Sequence, residues 1–269
     1  MNLARVFLLA PFLTLPLTLA LAAQAQTPPA AVASSAAIRV DSSASVIARS
    51  YSPGLIVTPT VGYSYLLWGD PASGLFGYVR PSASASMTTS SYSGRGELEL
   101  YPVSFLGFSG GRTLLHRFAN ATGQDCSLGQ CMGDLFSSDL SVRALFRYQS
   151  IFGTVKYTRL YFDAAADRSQ ALLDPASALL LSPDGEIATM TSAVVGGTID
   201  ETWSAGGIYQ GATLQNRSGT QNAEYLFARY SMGDYRFMGA AGRFESELKN
   251  PGLSLVASVT WVGTPTLLP

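Results

Sequence analysis

The chain has one histidine, two cysteines, and charged residues at only 13% of its 269 positions. A single imidazole rules out a His-rich metal site and leaves little basis for acid–base chemistry. Charge this sparse, against the ~25% usual in soluble domains, fits poorly with a surface wholly covered by water. Past residue 25, no stretch approaches the ~18 apolar residues of a membrane-crossing helix. No helical periodicity extends over a useful length. Basic residues are not in excess either: 17 Lys+Arg stand against 18 Asp+Glu, so nothing attracts nucleic acid in general.

What the chain does have is glycine (26), phenylalanine (13) and tyrosine (13), arranged with a period of two. Leu55, Val57, Pro59, Val61, Tyr63, Tyr65 and Leu67 occupy alternate positions. In a strand they form one unbroken apolar face. Residues 1–25 read as a cleavable export signal: Arg5 is the positive start, Val6 to Ala22 the apolar run, and Ala23-Gln24-Ala25 the small-x-small cleavage site. Pro11 and Pro16 interrupt that run and no basic flank stops it, which argues against a retained anchor. Residues 26–37 are a small-residue leader expected to be flexible. The remainder, 38–269, reads as one β domain.

Gly, Asp, Asn and Pro clusters divide that domain into twelve strand-like segments. These are 38–48, 54–68, 75–88, 95–104, 107–117, 137–149, 152–163, 186–199, 201–214, 222–232, 235–245 and 253–263. If the first strand runs outward, the long connections at 118–136 and 164–184 fall on one side. The tight turns near 105, 151, 200 and 233 fall on the other. Bacterial outer-membrane barrels have even strand numbers, long external loops and short periplasmic turns. Segment 152–163 is poorly patterned.

The face opposite the apolar one is rich in Ser and Thr and carries Arg80, Glu97, Glu99, Arg143, Arg147, Arg229, Arg243 and Glu245. Such residues suit a crowded lumen in which Arg and Glu pair. Trp68, Trp203 and Trp261 lie near strand ends, where an interfacial aromatic girdle belongs. With signal, alternation and loop cysteines together, the chain resembles bacterial outer-membrane β-barrel proteins at the level of the class. The near-terminal strand Leu253–Gly263 resembles the assembly signal of that class, with Trp261 as its aromatic, but continues through Thr264–Pro269. The resemblance implies an all-β, single antiparallel transmembrane barrel of about twelve strands in the outer membrane. It implies outer-membrane lipids and the barrel-assembly machinery as partners, and carries over no functional residues.

Cys126 and Cys131, in Asp125-Cys126-Ser127-Leu128-Gly129-Gln130-Cys131, are expected to form a disulfide on an exposed loop. Gly107-Phe108-Ser109-Gly110-Gly111 matches the G-x-S-x-G nucleophile pattern. Its only possible base, His116, lies an odd number of residues away and so on the opposite face of a strand. Glycines that let strands pack closely are the expected reading, and His116 is expected at a solvated loop edge. Glu97 and Glu99 are expected to pair with luminal arginines. Asp163, Asp167, Asp174 and Asp184 match no calcium-loop spacing. No cofactor or metal is expected. The favoured function is passage of small solutes, with a mild anion preference from five inward Arg against three Glu, or a structural or surface role. The alternatives are a hydrolase at the barrel rim and a soluble periplasmic barrel that binds an apolar ligand.

Overall fold

The computed structural model describes residues 38–50, 54–119, 132–163, 171–174, 179–216, 219–246 and 249–264. The first seven strands are β1 (Ile38–Arg49), β2 (Gly54–Asp70), β3 (Leu75–Met87), β4 (Ser91–Val103), β5 (Leu106–Arg117), β6 (Gly133–Tyr148) and β7 (Ile151–Phe162). Two short strands follow, β8 (Leu172–Asp174) and β9 (Leu179–Leu181). The last five are β10 (Glu186–Thr198), β11 (Trp203–Leu214), β12 (Thr220–Met232), β13 (Tyr235–Ser246) and β14 (Lys249–Thr264). All but β8 and β9 join one closed antiparallel barrel of twelve strands, in which β14 returns to β1. The closed ladder leaves no unpaired sheet edge, which is what allows strands to cross hydrocarbon.

The period-two pattern maps onto the two sides of this wall. Along β2, Leu55, Val57, Val61, Tyr63, Tyr65 and Leu67 are exposed, while Gly62 and Ser64 between them are buried. Leu226 on β12 and Leu253 on β14 are 77% and 73% exposed. The oily side chains therefore point away from the barrel axis. The inward side carries Asp41, Ser64, Glu99, Asp139, Ser141, Ser204 and Ser254, all buried. This inside-out order excludes the soluble barrel with a dry apolar core.

Connections sort by length as the strand count requires. One end holds the stretches between β5 and β6 and between β7 and β10; the other has only short turns. Outer-membrane barrels keep their long loops outside, so the short-turn end is periplasmic. At that end Asp70 accepts a hydrogen bond from the Ala72 N–H at 2.9 Å, and Gly74 takes the left-handed conformation (φ 74°) that closes the turn. In the turn at 199–202 the Asp200 carboxylate accepts from the Thr202 N–H and hydroxyl and from the Trp203 N–H. These bonds hold its carboxyl below the usual carboxylate range.

All three tryptophans lie at this periplasmic end, outward and about two-fifths exposed. Trp203, Tyr230, Phe237 and Tyr235 form a chain of ring contacts, and Trp261 is the cross-strand neighbour of Tyr235. Trp68 shares its sequence parity with the inward Leu66. A register shift between the two turns it out across Gly77, where its indole N–H donates to Pro102 O at 2.9 Å.

The stretch 164–184, expected as a long connection, contains a hairpin. β8 pairs with β9, and Leu179 and Leu181 are 1% and 0% exposed against Leu135, Ala188, Ala212 and Leu214. Those four project inward near the extracellular ends of β6, β10 and β11, so the hairpin folds into the barrel mouth. Leu160 and Phe162 pack against the same cluster from β7. Apolar residues on the inner face of β7 explain why its alternation is weak in sequence. The expected signal peptide, the leader, Cys126, Cys131 and Asp167 lie outside the described residues.

Candidate functional site

The ion pairs on the inner wall gather on β1 to β6. Arg80 from β3 bridges two strands: its Nη2 lies 2.5 Å from Asp41 Oδ1 of β1, and its Nη1 lies 2.6 Å from Glu99 Oε2 of β4. Its Nε donates to Asp41 Oδ2 at 2.9 Å, and the Ser64 hydroxyl donates to the same oxygen. The guanidinium lies flat over Gly62, where a Cβ would come within 2.8 Å of it. A second centre repeats the arrangement. Arg95 of β4 grips Asp139 of β6 at 2.5 and 3.1 Å, reaches Glu97 at 3.1 Å, and lies over Gly111.

Arg143 joins the first centre more loosely, donating to the Tyr101 hydroxyl at 3.2 Å with Glu99 at 3.8 Å. Directly across the β6–β7 ladder from it stands Lys156. Like charges opposite one another on a sheet face are unfavourable, so this pair is a concentration of positive charge rather than a structural clasp. Arg147 projects inward nearer the periplasmic end, on the same face as Arg143. Arg229, on β12, donates to Ser204 Oγ at 3.0 Å and sits 5.4 Å over the Phe152 ring. Among the described residues, no carboxylate lies within ion-pair distance of Lys156, Arg147 or Arg229.

Below the ion pairs, toward the periplasm, Phe76, Tyr78 and Tyr101 form a buried aromatic cluster, with Tyr78 and Tyr101 stacked at 4.6 Å. Leu145 packs against it, which accounts for the one apolar residue on the polar side of β6. Two apolar clusters thus bracket the charged belt: this one beneath it and the one around the β8–β9 hairpin above.

Two expected lumen residues are not there. Arg243 and Glu245 lie on the outer face of β13 and pair with each other at 2.8 Å. In the upper part of that strand the inward positions are Ala240, Gly242 and Phe244, which face Phe227, Tyr225 and Ala223 on β12. Near the extracellular end the outer face leaves hydrocarbon, so its outward residues become polar and polarity no longer reports the face. Conversely, Asp41, Arg95, Asp139 and Lys156 belong to the inner wall and were not singled out in the sequence. Parity could have found most of them. Asp41 alternates with Val40, Arg95 is in phase with Glu97 and Glu99, and Asp139 is in phase with Ser141 and Arg143.

The G-x-S-x-G stretch is explained by packing. Gly107 receives the Tyr101 ring, Gly111 lies under Arg95, and Ser109 hydrogen-bonds Ser141 at 2.7 Å. His116 is the penultimate residue of β5, at the edge of the long connection, and pairs outward with Asp134 at 2.6 Å beside Tyr92. It therefore has an orienting acid, but on the side of the wall opposite Ser109. No group of three potential metal ligands occurs among the described residues.

A closed twelve-stranded barrel, with an apolar belt outside, aromatics at the rim and a charged interior, defines an outer-membrane β-barrel protein. No protein-family model matches the sequence, and no curated protein matches it. Solved structures with a similar fold include the KdgM porin, at 9% identity and a TM-score of 0.44 over 83% of this chain and 98% of that one. The translocator domain of the autotransporter NalP from Neisseria meningitidis matches at 12% and 0.35, over 94% and 95% of the two chains. The β domain of the Bordetella autotransporter BrkA matches at 10% and 0.42, over 84% and 99%.

Proposed function

We propose that the barrel is a narrow passage for small solutes with a mild preference for anions. The observation that carries this reading is the uneven pairing of charge on the inner wall. Asp41, Glu97, Glu99 and Asp139 are each held by Arg80 or Arg95, which neutralise two of the four negative charges, and Arg143 beside Glu99 adds a third cation. Lys156, near Glu97 and Asp139, and Arg147 and Arg229 add three further cations, none within ion-pair distance of a described carboxylate, so the named groups count six cations against four carboxylates. An ion in the lumen meets a net positive field, which raises the local concentration of anions. In planar bilayers under a salt gradient, the reversal potential is expected to favour anions. Replacing Lys156, Arg147 and Arg229 together by Gln is expected to move it toward zero, and a wild-type preference for cations would refute the proposal.

A second reading, a structural barrel whose lumen is shut, draws on the two apolar clusters that project inward from the wall. Bilayer conductance separates the two, since a shut lumen passes no steady current.

A further inference from the structure

Arginine on the lipid side of a barrel is unfavourable unless it lies near an interface and finds counter-charge. Two such residues flank β6 in the extracellular half of the wall. Arg112 of β5 is the cross-strand neighbour of Ser138, and Arg159 of β7 is the neighbour of Leu140, two positions along β6. The Arg112 side chain is 73% exposed, with Asp163 touching one edge at 3.4 Å. Arg159 lies 5.4 Å over the Tyr161 ring and donates to Gln215. Each guanidinium has five N–H donors, so most of this donor capacity is unspent.

Beside the arginines the outer wall is hollow. Gly96, Leu98, Arg112, Leu140 and Tyr161 line a depression of about 570 Å³, at whose floor lie Glu97 and Asp139, both bound to Arg95. A Cβ added at Gly96, or at Gly94 on the same strand, would meet nothing within 4 Å. The hollow is a bare stretch of backbone walled by leucines, with the Arg112 guanidinium on its border and Arg159 just beyond, against the Tyr161 ring. An acyl chain fits the apolar floor, and a phosphate fits the arginines, which bind such groups through paired N–H donors.

We propose that this site holds one phosphorylated lipid of the outer leaflet, its phosphate on Arg112 and Arg159 and an acyl chain in the hollow between β4 and β6. The site requires the barrel to lie in the outer membrane and is independent of whether the lumen conducts. Its position explains why two charges are kept on a lipid-facing surface and why glycine recurs beside them.

The test uses the full mature barrel purified in detergent, with diphosphorylated lipid A as probe and native mass spectrometry as readout. Wild type is expected to retain one lipid A. The R112Q/R159Q variant is expected to bind it roughly 10–30-fold more weakly, as the loss of two cations at a membrane surface implies. G96L fills the hollow and keeps both arginines, and it is expected to lose retention as well. Lipid A stripped of phosphate is expected to be lost from wild type. Undiminished retention by R112Q/R159Q or by G96L, or equal retention of the dephosphorylated lipid, would overturn the proposal. So would displacement of the lipid by inorganic phosphate alone, which would mark a site for soluble anions. Heat-dependent gel mobility confirms that each variant is a folded barrel before its lipid content is compared.

Discussion

Replacing Arg80 by Met is expected to lower the stability of the barrel by about 3–5 kcal/mol, the range found when one partner of a buried ion pair is removed. The Arg80 side chain is 11% exposed, and those of Asp41 and Glu99 are 3% and 9%. Its loss therefore strands two buried carboxylates on opposite sides of β3. Ser64 would remain as a donor to Asp41, and Arg143 at 3.8 Å is the nearest cation left to Glu99. Neither replaces a guanidinium that makes three short bonds. The measurement is the urea concentration or temperature at which the folded band in a heat-modifiability gel disappears. The triple variant Arg80→Met, Asp41→Asn, Glu99→Gln removes the charges together and is expected to recover much of the loss. If Arg80→Met alone were neutral, the network would not be a structural clasp. Gly62→Ala tests the same centre from beneath, because a Cβ there would push the guanidinium off both carboxylates.

The residues of this centre show how far sequence carries the argument. Alternation along β2 identifies its outer face from Leu55 to Leu67 without ambiguity, because hydrocarbon meets every second position. The twelve barrel strands follow from the same physics and from loop lengths. Reading fails where the environment on one side of the wall changes along a strand. Arg243 and Glu245 are outward because β13 runs on past the apolar belt, and Leu145 is inward because an aromatic cluster waits for it. Trp68 is outward because a register shift reverses the parity it shares with Leu66. The hairpin of β8 and β9 escapes alternation altogether, since three-residue strands are too short to show a period. Arg80 is legible as inward, but its two partners come from β1 and β4. Only the barrel's register, which pairs Arg80 with Glu99 and Asp41 with Gly62, brings them together.

The β8–β9 hairpin is expected to control how much current the lumen passes. Leu179 and Leu181 are the most deeply buried leucines in the described chain. Their contacts, Leu135, Ala188, Ala212 and Leu214, come from three strands of the wall. Changing both to Asp sets two carboxylates against apolar surface and removes burial worth roughly 2–5 kcal/mol per leucine. A three-residue ladder cannot offset that loss, so the hairpin should leave the mouth while the twelve-strand ladder stays intact. Single-channel conductance is expected to rise severalfold, with an unchanged temperature for loss of the folded gel band. Leu135→Asp attacks the same contact from the wall and should open the mouth in the same way. Two distinct results would count against this role. Conductance equal to wild type in both variants would mean that the constriction lies elsewhere, with the Phe76–Tyr78–Tyr101 cluster as the next place to mutate. A lowered barrel stability without added current would mean that the hairpin braces the wall rather than gates it. Because Leu179 and Leu181 pack at the extracellular ends of β6, β10 and β11 while Arg147 lies at the periplasmic end of β6, the anion preference should persist at the higher conductance, which separates the gate from the field behind it.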